Sequence, residues 1–398
     1  MKLLIYSHFF APSIGGVENI VLSLARGLAD RRTPGRVPEF DATLVTETPA
    51  SGFDDAALPF HIVRQPGAWR LASLIRRADV VHLAGPALLP MLLALTQRKP
   101  YVIEHHGYQA VCPNGLLLFQ PDYSICPGHF LARRYRECLR CNAAGASWWH
   151  SLRQLLLTFV RRALCRRSAA NLAVSQHVLE RSALPFSSVV YHGIADPLEG
   201  AVGNLPPPAD GRPLCFAYVG RLVSEKGVSV ILEAARGLRN DGCSFELRLI
   251  GDGPERSRLE TLIEQYGLQS AVRITGFLTG GELRECLHDA QVVVMPSVWE
   301  ETAGLAAMEQ MMCGRLVIAS SVGGLAEVVA DAGLTVPPGD PITLAACMRR
   351  VTDQPALVEI LGTQARERAL RLFERRRMIE EHATIYRRVC ACPDVKGS

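Results

Sequence analysis

The stretch Val292-Val-Val-Met-Pro-Ser-Val-Trp-Glu-Glu-Thr-Ala-Gly-Leu-Ala-Ala-Met-Glu309 decides the fold. Its first four residues are apolar and mostly β-branched, the composition of a strand buried on both faces in a parallel sheet. Leu305 to Met312 is a run of good helix formers. Between strand and helix lies a loop with Glu300, Glu301, Thr302, Ala303 and Gly304. In an open α/β sheet, ligands sit where the carboxyl end of a strand meets the amino end of the next helix. Glu301 falls in that loop and Glu309 about one turn into the helix, so both can face one crevice. Carboxylates there suit neutral polyols, because each oxygen accepts a hydroxyl hydrogen. The plainer alternative is two acids favoured by the helix dipole.

Working outward, the same alternation fills the second half. Strand-like runs at Leu214–Val219, Phe245–Ile250, Val272–Ile274 and Leu316–Ala319 each end in a loop rich in glycine or charge. Arg221 and Lys226 share the loop that starts at Gly220, and two cations at a helix amino end favour a diphosphate. Solvated loop cations are the alternative. Gly251-Asp-Gly-Pro-Glu255 opens another helix. The P-loop pattern is missing, and no acidic pair argues for a catalytic divalent metal in this half.

The first half begins with a strand (Lys2 to Ser7), a loop containing Gly15 and Gly16, and a helical repeat from Val17 to Asp30. Bare backbone at a helix start can approach a phosphate or a sugar, although a tight turn explains the glycines equally. Further strand-like runs at Ala42–Thr46, Val80–Leu83, Tyr101–Glu104, Asn171–Ser175 and Val189–Tyr191 make a second α/β domain. His106 follows the third of these, placed for a substrate hydroxyl or phosphate, or simply solvated. Residues 108–150 interrupt the pattern with Cys112, Cys126, Cys138 and Cys141. The last two have the C-x2-C spacing of zinc sites; a structural zinc on all four, or four unliganded thiols, are the two readings. The domains expected are 1–196 with the insertion 108–150, a proline-rich linker 197–213, a second domain 214–374, and a closing helix with a tail at 375–398.

With 398 residues and 48% hydrophobic content, two ordinary globular cores are expected. The opening residues lack a signal peptide's length, and no apolar run approaches the roughly 18 residues of a membrane span. A cytoplasmic chain is therefore expected. Residues 130–170 hold nine Arg and one Glu. Within them, 148–167 reads as a basic amphipathic helix with Trp148 and Trp149, suited to an anionic membrane face, or as a domain helix with a solvated side. No recognised nucleic-acid motif accompanies the charge, so nucleic acid is not an expected partner.

Taken together, Gly15-Gly-Val-Glu18, Gly220-Arg-Leu-Val-Ser-Glu-Lys-Gly227, Gly251-Asp-Gly-Pro-Glu255 and the Glu301…Glu309 pair resemble family 4 glycosyltransferases. These are retaining enzymes of the GT-B fold: two facing Rossmann-like domains, a cleft between them, and a final helix crossing back to the first. The resemblance covers nearly the whole chain. It implies that Arg221 and Lys226 grip the donor diphosphate, that Glu309 binds the ribose and that Glu301 holds the transferred sugar. It implies that the amide of Gly16, beside Gly15, approaches the donor and that His106 is the active-site histidine. Gly220, Gly251 and the turn with Phe277 and Leu278 become donor-pocket walls, with Thr302, Ala303, Gly304 and Leu305 lining the sugar end. Ala303 stands where the family has an aromatic residue, which implies a roomier sugar pocket. His106-Gly107 replaces the common His-Asp.

The implied activity is transfer of a hexose-type sugar from a nucleoside diphosphate donor to a glycan or glycolipid hydroxyl, with retention and without a catalytic metal. The implied setting is polysaccharide or glycolipid biosynthesis, in the cytoplasm or, through 148–167, peripheral on the inner membrane face. The competing readings are a nucleotide-sugar epimerase of similar fold and a non-catalytic nucleotide-sugar-binding subunit.

Overall fold

A computed structural model describes residues 1–13, 15–33, 35, 37–143, 147–198 and 213–391. The chain divides into two compact units, one of Met1–Gly193 together with the segment from Glu374 onward, the other of Ile194–Phe373.

The first unit carries strands β1 (Lys2–Ser7), β2 (Asp41–Thr46), β3 (His61–Arg64), β4 (Val80–Ala84) and β5 (Tyr101–His105). A short antiparallel hairpin follows, β6 (Leu118–Phe119) with β7 (Ser124–Ile125), and then β8 (Ala170–Ala173) and β9 (Ser187–Val189). The seven-stranded sheet is parallel in the order β3-β2-β1-β4-β5-β8-β9. Its helices are α1 (Gly16–Ala29), α2 (Ala68–Arg77), α3 (Leu88–Thr96), α4 (Tyr135–Ala143), α5 (Trp148–Cys165) and α6 (Gln176–Ser182). β5 is buried at every residue, as a strand covered by helices on both faces must be. α1 shows the helical counterpart, burying Ile20, Val21, Leu24, Ala25 and Leu28 along one stripe.

The second unit is built on β10 (Leu214–Val219), β11 (Phe245–Ile250), β12 (Val272–Gly276), β13 (Val292–Met295), β14 (Leu316–Ser320) and β15 (Leu334–Val336). Helices α7 (Val228–Asn240), α8 (Arg256–Gln265), α9 (Gly280–Cys286), α10 (Leu305–Met312), α11 (Gly323–Val329), α12 (Pro341–Asp353) and α13 (Ala356–Leu372) flank it. The sheet order β12-β11-β10-β13-β14-β15 reverses direction between β10 and β13. That reversal opens a crevice at the carboxyl ends of the two strands. The core between sheet and helices is filled by Phe216, Ile231, Leu232, Leu247, Val292, Ile318 and Met348.

The chain then returns. α14 (Arg375–Ala391) belongs to the first unit, where it buries Met378, Ile379, His382, Tyr386 and Val389. Its outer edge joins a four-residue charge network: Arg31 lies 2.9 Å from Glu39 and 2.6 Å from Glu380, while Arg387 lies 2.7 Å from Glu39.

Two expectations need correction. The strands read at 171–175 and 189–191 lie at Ala170–Ala173 and Ser187–Val189. The insertion 108–150 has more regular structure than its sequence period suggested, namely the β6–β7 hairpin and α4. Of the linker 197–213, residues 199–212 lie outside the described residues, as does the tail 392–398. Ahead of it, Asp196 belongs to the second unit, held by Arg366 of α13 through two contacts of 3.0 Å.

Candidate functional site

The loops after β10 and β13, neighbours across the sheet reversal, are fastened to each other. Val298 N–H donates to Glu225 O at 3.0 Å. Gly227, at φ +65°, passes so near the second loop that a Cβ would stand 2.2 Å from Pro296 O. Only glycine accepts both that φ and that approach. Lys226 is thereby carried across to Glu301, its Nζ 2.9 Å from Oε1 and 5.8 Å from the centre of the Trp299 ring. Glu301 is 4% exposed and also accepts a short hydrogen bond from Ser297 Oγ. A third loop supports it from behind: Gly324 N–H donates to Glu301 O at 2.6 Å, at the amino end of α11. A buried carboxylate needs such partners, since stripping its water without replacement costs several kcal/mol.

The other predicted residues of this unit sort by position. Gly220 N–H donates to Ile250 O at 3.0 Å, and a Cβ on Gly251 would lie 1.8 Å from Gly220 O, so these two strand ends touch through bare backbone. The Arg221 side chain is 72% exposed and stands 3.9 Å from Glu225, leaving its guanidinium at the surface. Tyr218 donates to Arg221 O at 2.7 Å and fixes that loop's backbone. Gly304, at φ +74°, starts α10; Ala303 is buried, and Thr302 and Leu305 are half-buried beside it. Glu309 lies on α10 with one side open to solvent, while the protein packed round its carboxyl raises the pKa above the ordinary value. Phe277 is exposed and Leu278 half-buried after β12.

In the first unit, Gly15 precedes α1 in extended conformation and Gly16 is the first helical residue. His106 follows β5. Its Nε2 is 3.4 Å from Glu104 Oε2, its Nδ1 3.1 Å from His192 Nε2, and the two imidazoles stack at 5.1 Å. Burial of His192 pushes its pKa down to about 3. Burial raises the Glu104 pKa, but His106, His382 and His82 around it more than offset that and hold the carboxyl well below the usual range. Sequence reading named His106 alone. The adjacent Glu104 was the available signal; the other imidazoles come from far along the chain.

All four clustered cysteines are buried free thiols. Cys141 Sγ receives Asn114 Nδ2 at 3.3 Å and Gln120 N–H at 3.4 Å, and Cys112 donates to Asn114 Oδ1. Burial pushes Cys112 up to about 11 and Cys138 up to about 12. Zinc–sulfur bonds near 2.3 Å would put ligating sulfurs about 3.8 Å apart. Cys138 lies within electrostatic reach of Cys112, Cys126 and Cys141, so the insertion gathers the four thiols.

Residues 14–195 match the family model for Glycosyltransferase Family 4, and residues 206–368 match that for Glycosyl transferases group 1. The chain belongs to the family 4 glycosyltransferases. This family 4 chain is similar to the 2-deoxystreptamine glucosyltransferase of Streptomyces kanamyceticus, 37% identical over 153 residues, 38% of this chain and 39% of that one. It is similar also to the glycogen synthase of Mycobacterium tuberculosis, 33% identical over 176 residues, 44% of this chain and 42% of that one. The matched part thus spans less than half the length of either relative. In fold it resembles HepE of Anabaena in complex with UDP, at TM-score 0.70 and 17% identity over 96% of this chain and 99% of that one. It resembles equally a glycosyltransferase of Rickettsia africae, at TM-score 0.71 and 17% identity over 100% and 99%. The architecture is GT-B: two parallel-sheet α/β units.

Proposed function

We propose that this glycosyltransferase moves a hexose-type sugar from a nucleoside diphosphate to an acceptor hydroxyl, with retention of anomeric configuration and without a catalytic metal. The observation that carries the reading is the Lys226–Glu301 pair at the reversal of the second sheet. It places a cation and a carboxylate together in the crevice where this architecture takes its ligands. The difficult event is departure of a diphosphate that gains negative charge. Arg221 and Lys226 would meet that charge, and withdrawing one such group costs about 2–4 kcal/mol of barrier. Glu301 would then accept hydroxyl hydrogens of the sugar, and Glu309 those of the ribose. The carboxylates assigned here serve as hydrogen-bond acceptors, and the departing phosphate would deprotonate the acceptor from the side it leaves. The complex of HepE with UDP supports a nucleotide donor.

Thermal-shift screening against UDP-, GDP- and ADP-sugars, followed by turnover with glycan and glycolipid acceptors, tests this. Stabilisation by one nucleotide sugar and an axial-to-axial or equatorial-to-equatorial product by NMR is expected. Donor conversion with no acceptor would mark an epimerase, and binding without turnover a non-catalytic subunit.

We further propose that α5 rests on an anionic membrane face. Trp149, Arg153, Leu156, Val160, Ala163 and Arg167 recur at helical spacing, and all are exposed. Apolar side chains flanked by cations suit the headgroup boundary. Two of the five arginines in 148–167 serve otherwise: Arg161 donates to Pro86 O, and Arg162 to Ser182 O and Ala183 O. Among the described residues no helix is long and apolar enough to cross a membrane, so such contact would be peripheral.

A further inference from the structure

Residues 300 positions apart meet in the interior of the first unit. His82 on β4, Glu104 on β5 and His382 on α14 are each fully buried. His82 Nε2 lies 3.4 Å and His382 Nε2 3.7 Å from Glu104 Oε2. A charge-assisted hydrogen bond would be about 2.7–2.9 Å long. Accordingly neither nitrogen, and neither carboxylate oxygen, has a hydrogen-bond partner. Four unsatisfied polar atoms at one buried point call for an explanation, because each forfeits its water on folding.

The outer nitrogens show which protons are where. His382 Nδ1 is 2.8 Å from Met378 O, a carbonyl that can only accept, so the proton is on Nδ1. If the ring is neutral, a bare Nε2 lone pair faces the carboxylate; burial lowers the His382 pKa, but Glu104 more than offsets that, raises it and so also favours a second proton there. His82 Nδ1 is 3.0 Å from the Tyr386 hydroxyl, which can take its proton in the same way. Two lone pairs and a carboxylate facing inward repel one another unless a proton on one imidazole or a metal ion lies among them, and the geometry suits the ion. The three ligand atoms are all within 4.8 Å of one another. Two ligands held 2.0–2.2 Å from a tetrahedral ion stand about 3.4 Å apart, close to the separations seen.

We propose that His82, Glu104 and His382 bind a divalent transition-metal ion of the zinc class. Two imidazoles with a carboxylate favour zinc over magnesium or calcium, which prefer oxygen ligands. The second carboxylate oxygen is available for a fourth position. The Met378 carbonyl and the Tyr386 hydroxyl orient the two rings from outside, the arrangement that fixes tautomers around metals. The ion is a structural clip: it fastens α14 to the middle of the first sheet, and through Glu104 it steadies the strand end from which His106 extends.

The test begins with tag-free, full-length protein purified without chelator. Metal analysis is expected to find close to one zinc per chain. Chelation should lower the melting temperature, and added zinc should restore it. Cobalt substitution should give ligand-field bands without the intense thiolate charge-transfer absorption. Glu104→Gln and His382→Gln should lose the metal, whereas the double variant Cys138→Ser/Cys141→Ser should keep it. Should the histidine and glutamate variants fail to fold, the cobalt spectrum of the wild type still separates imidazole from thiolate ligation. Wild-type protein that carries no metal and whose melting ignores added zinc overturns the proposal, leaving a metal-free buried ion pair. A thiolate spectrum, or metal that leaves only with the cysteines, overturns it as well.

Discussion

Lys226 and Glu301 neutralise each other across the sheet reversal, 2.9 Å apart, each supplied by a different loop. A diphosphate entering there would compete with Glu301 for Lys226, and the released carboxylate would be free for sugar hydroxyls. One internal contact would thus be exchanged for two contacts with the donor.

This exchange predicts opposite effects from one substitution. Glu301→Gln should bind the free nucleoside diphosphate about fivefold more tightly, since roughly 1 kcal/mol of competition disappears. Its kcat should nevertheless fall. Lys226→Ala should lose kcat/KM by on the order of 10²–10³. Calorimetry and steady-state kinetics on the same preparations decide; near-normal turnover and donor KM in Lys226→Ala would remove the assignment.

Gly323 has φ +59°, and a Cβ there would come 2.5 Å from Glu301 O and 2.7 Å from Glu301 N. Gly339 has φ +74° with open space around it. Gly339→Ala should therefore lower stability by about 1 kcal/mol from backbone strain alone. Gly323→Ala should lower it by more, and should weaken donor binding by shifting the Glu301 loop. Equal melting losses in the two variants would contradict this.

Asp196 is gripped by Arg366, whose hydrogen bonds hold the carboxyl below its ordinary pKa. A carboxyl with a lower pKa folded than unfolded stabilises the fold fully above the unfolded value, and that contribution is lost as pH falls through the folded value. Wild type should therefore exceed Asp196→Asn by about 1–3 kcal/mol at neutral pH. The gap should close below about pH 4. Melting curves across pH would show it, and a gap that widened in acid would refute it.

Co-sedimentation with phosphatidylglycerol vesicles should be weakened by salt. Arg153→Glu should weaken it further, each basic residue being worth about 1 kcal/mol near the surface. Trp149→Ala should reduce binding at every salt concentration. Binding indifferent to salt, or absent, would rule out α5 as a docking face.

Cys112 and Cys138, with pKa values raised to about 11 and about 12, should alkylate at pH 8 on the order of 100-fold more slowly than a peptide thiol. Chelator should leave that rate unchanged. A chelator-triggered burst at all four cysteines would instead establish a thiolate-held metal in the insertion.

The sequence carried much of this arrangement because its rules are local. Val292–Met295 announced a buried strand by composition, and the loop rule then put Glu301 at its carboxyl end. Arg221 and Lys226 followed from the same rule applied to β10, yet their difference did not: Lys226 is turned inward by the contact of Gly227 with Pro296, and Arg221 is left outside. The cluster round Glu104 was hidden for another reason. Periodicity tells which face of α14 is buried, but not which side chain of β4 it meets.

The return of α14 has a bearing on biosynthesis. Domains generally fold as the nascent chain leaves the ribosome, amino-terminal part first. Here the amino-terminal half cannot finish in that order, because His82 and Glu104 wait for His382 and Tyr386, which emerge after the whole second sheet has been translated. The earlier-made half is thus sealed last, and a ribosome that stalls before α14 releases a chain whose second unit is whole and whose first is open.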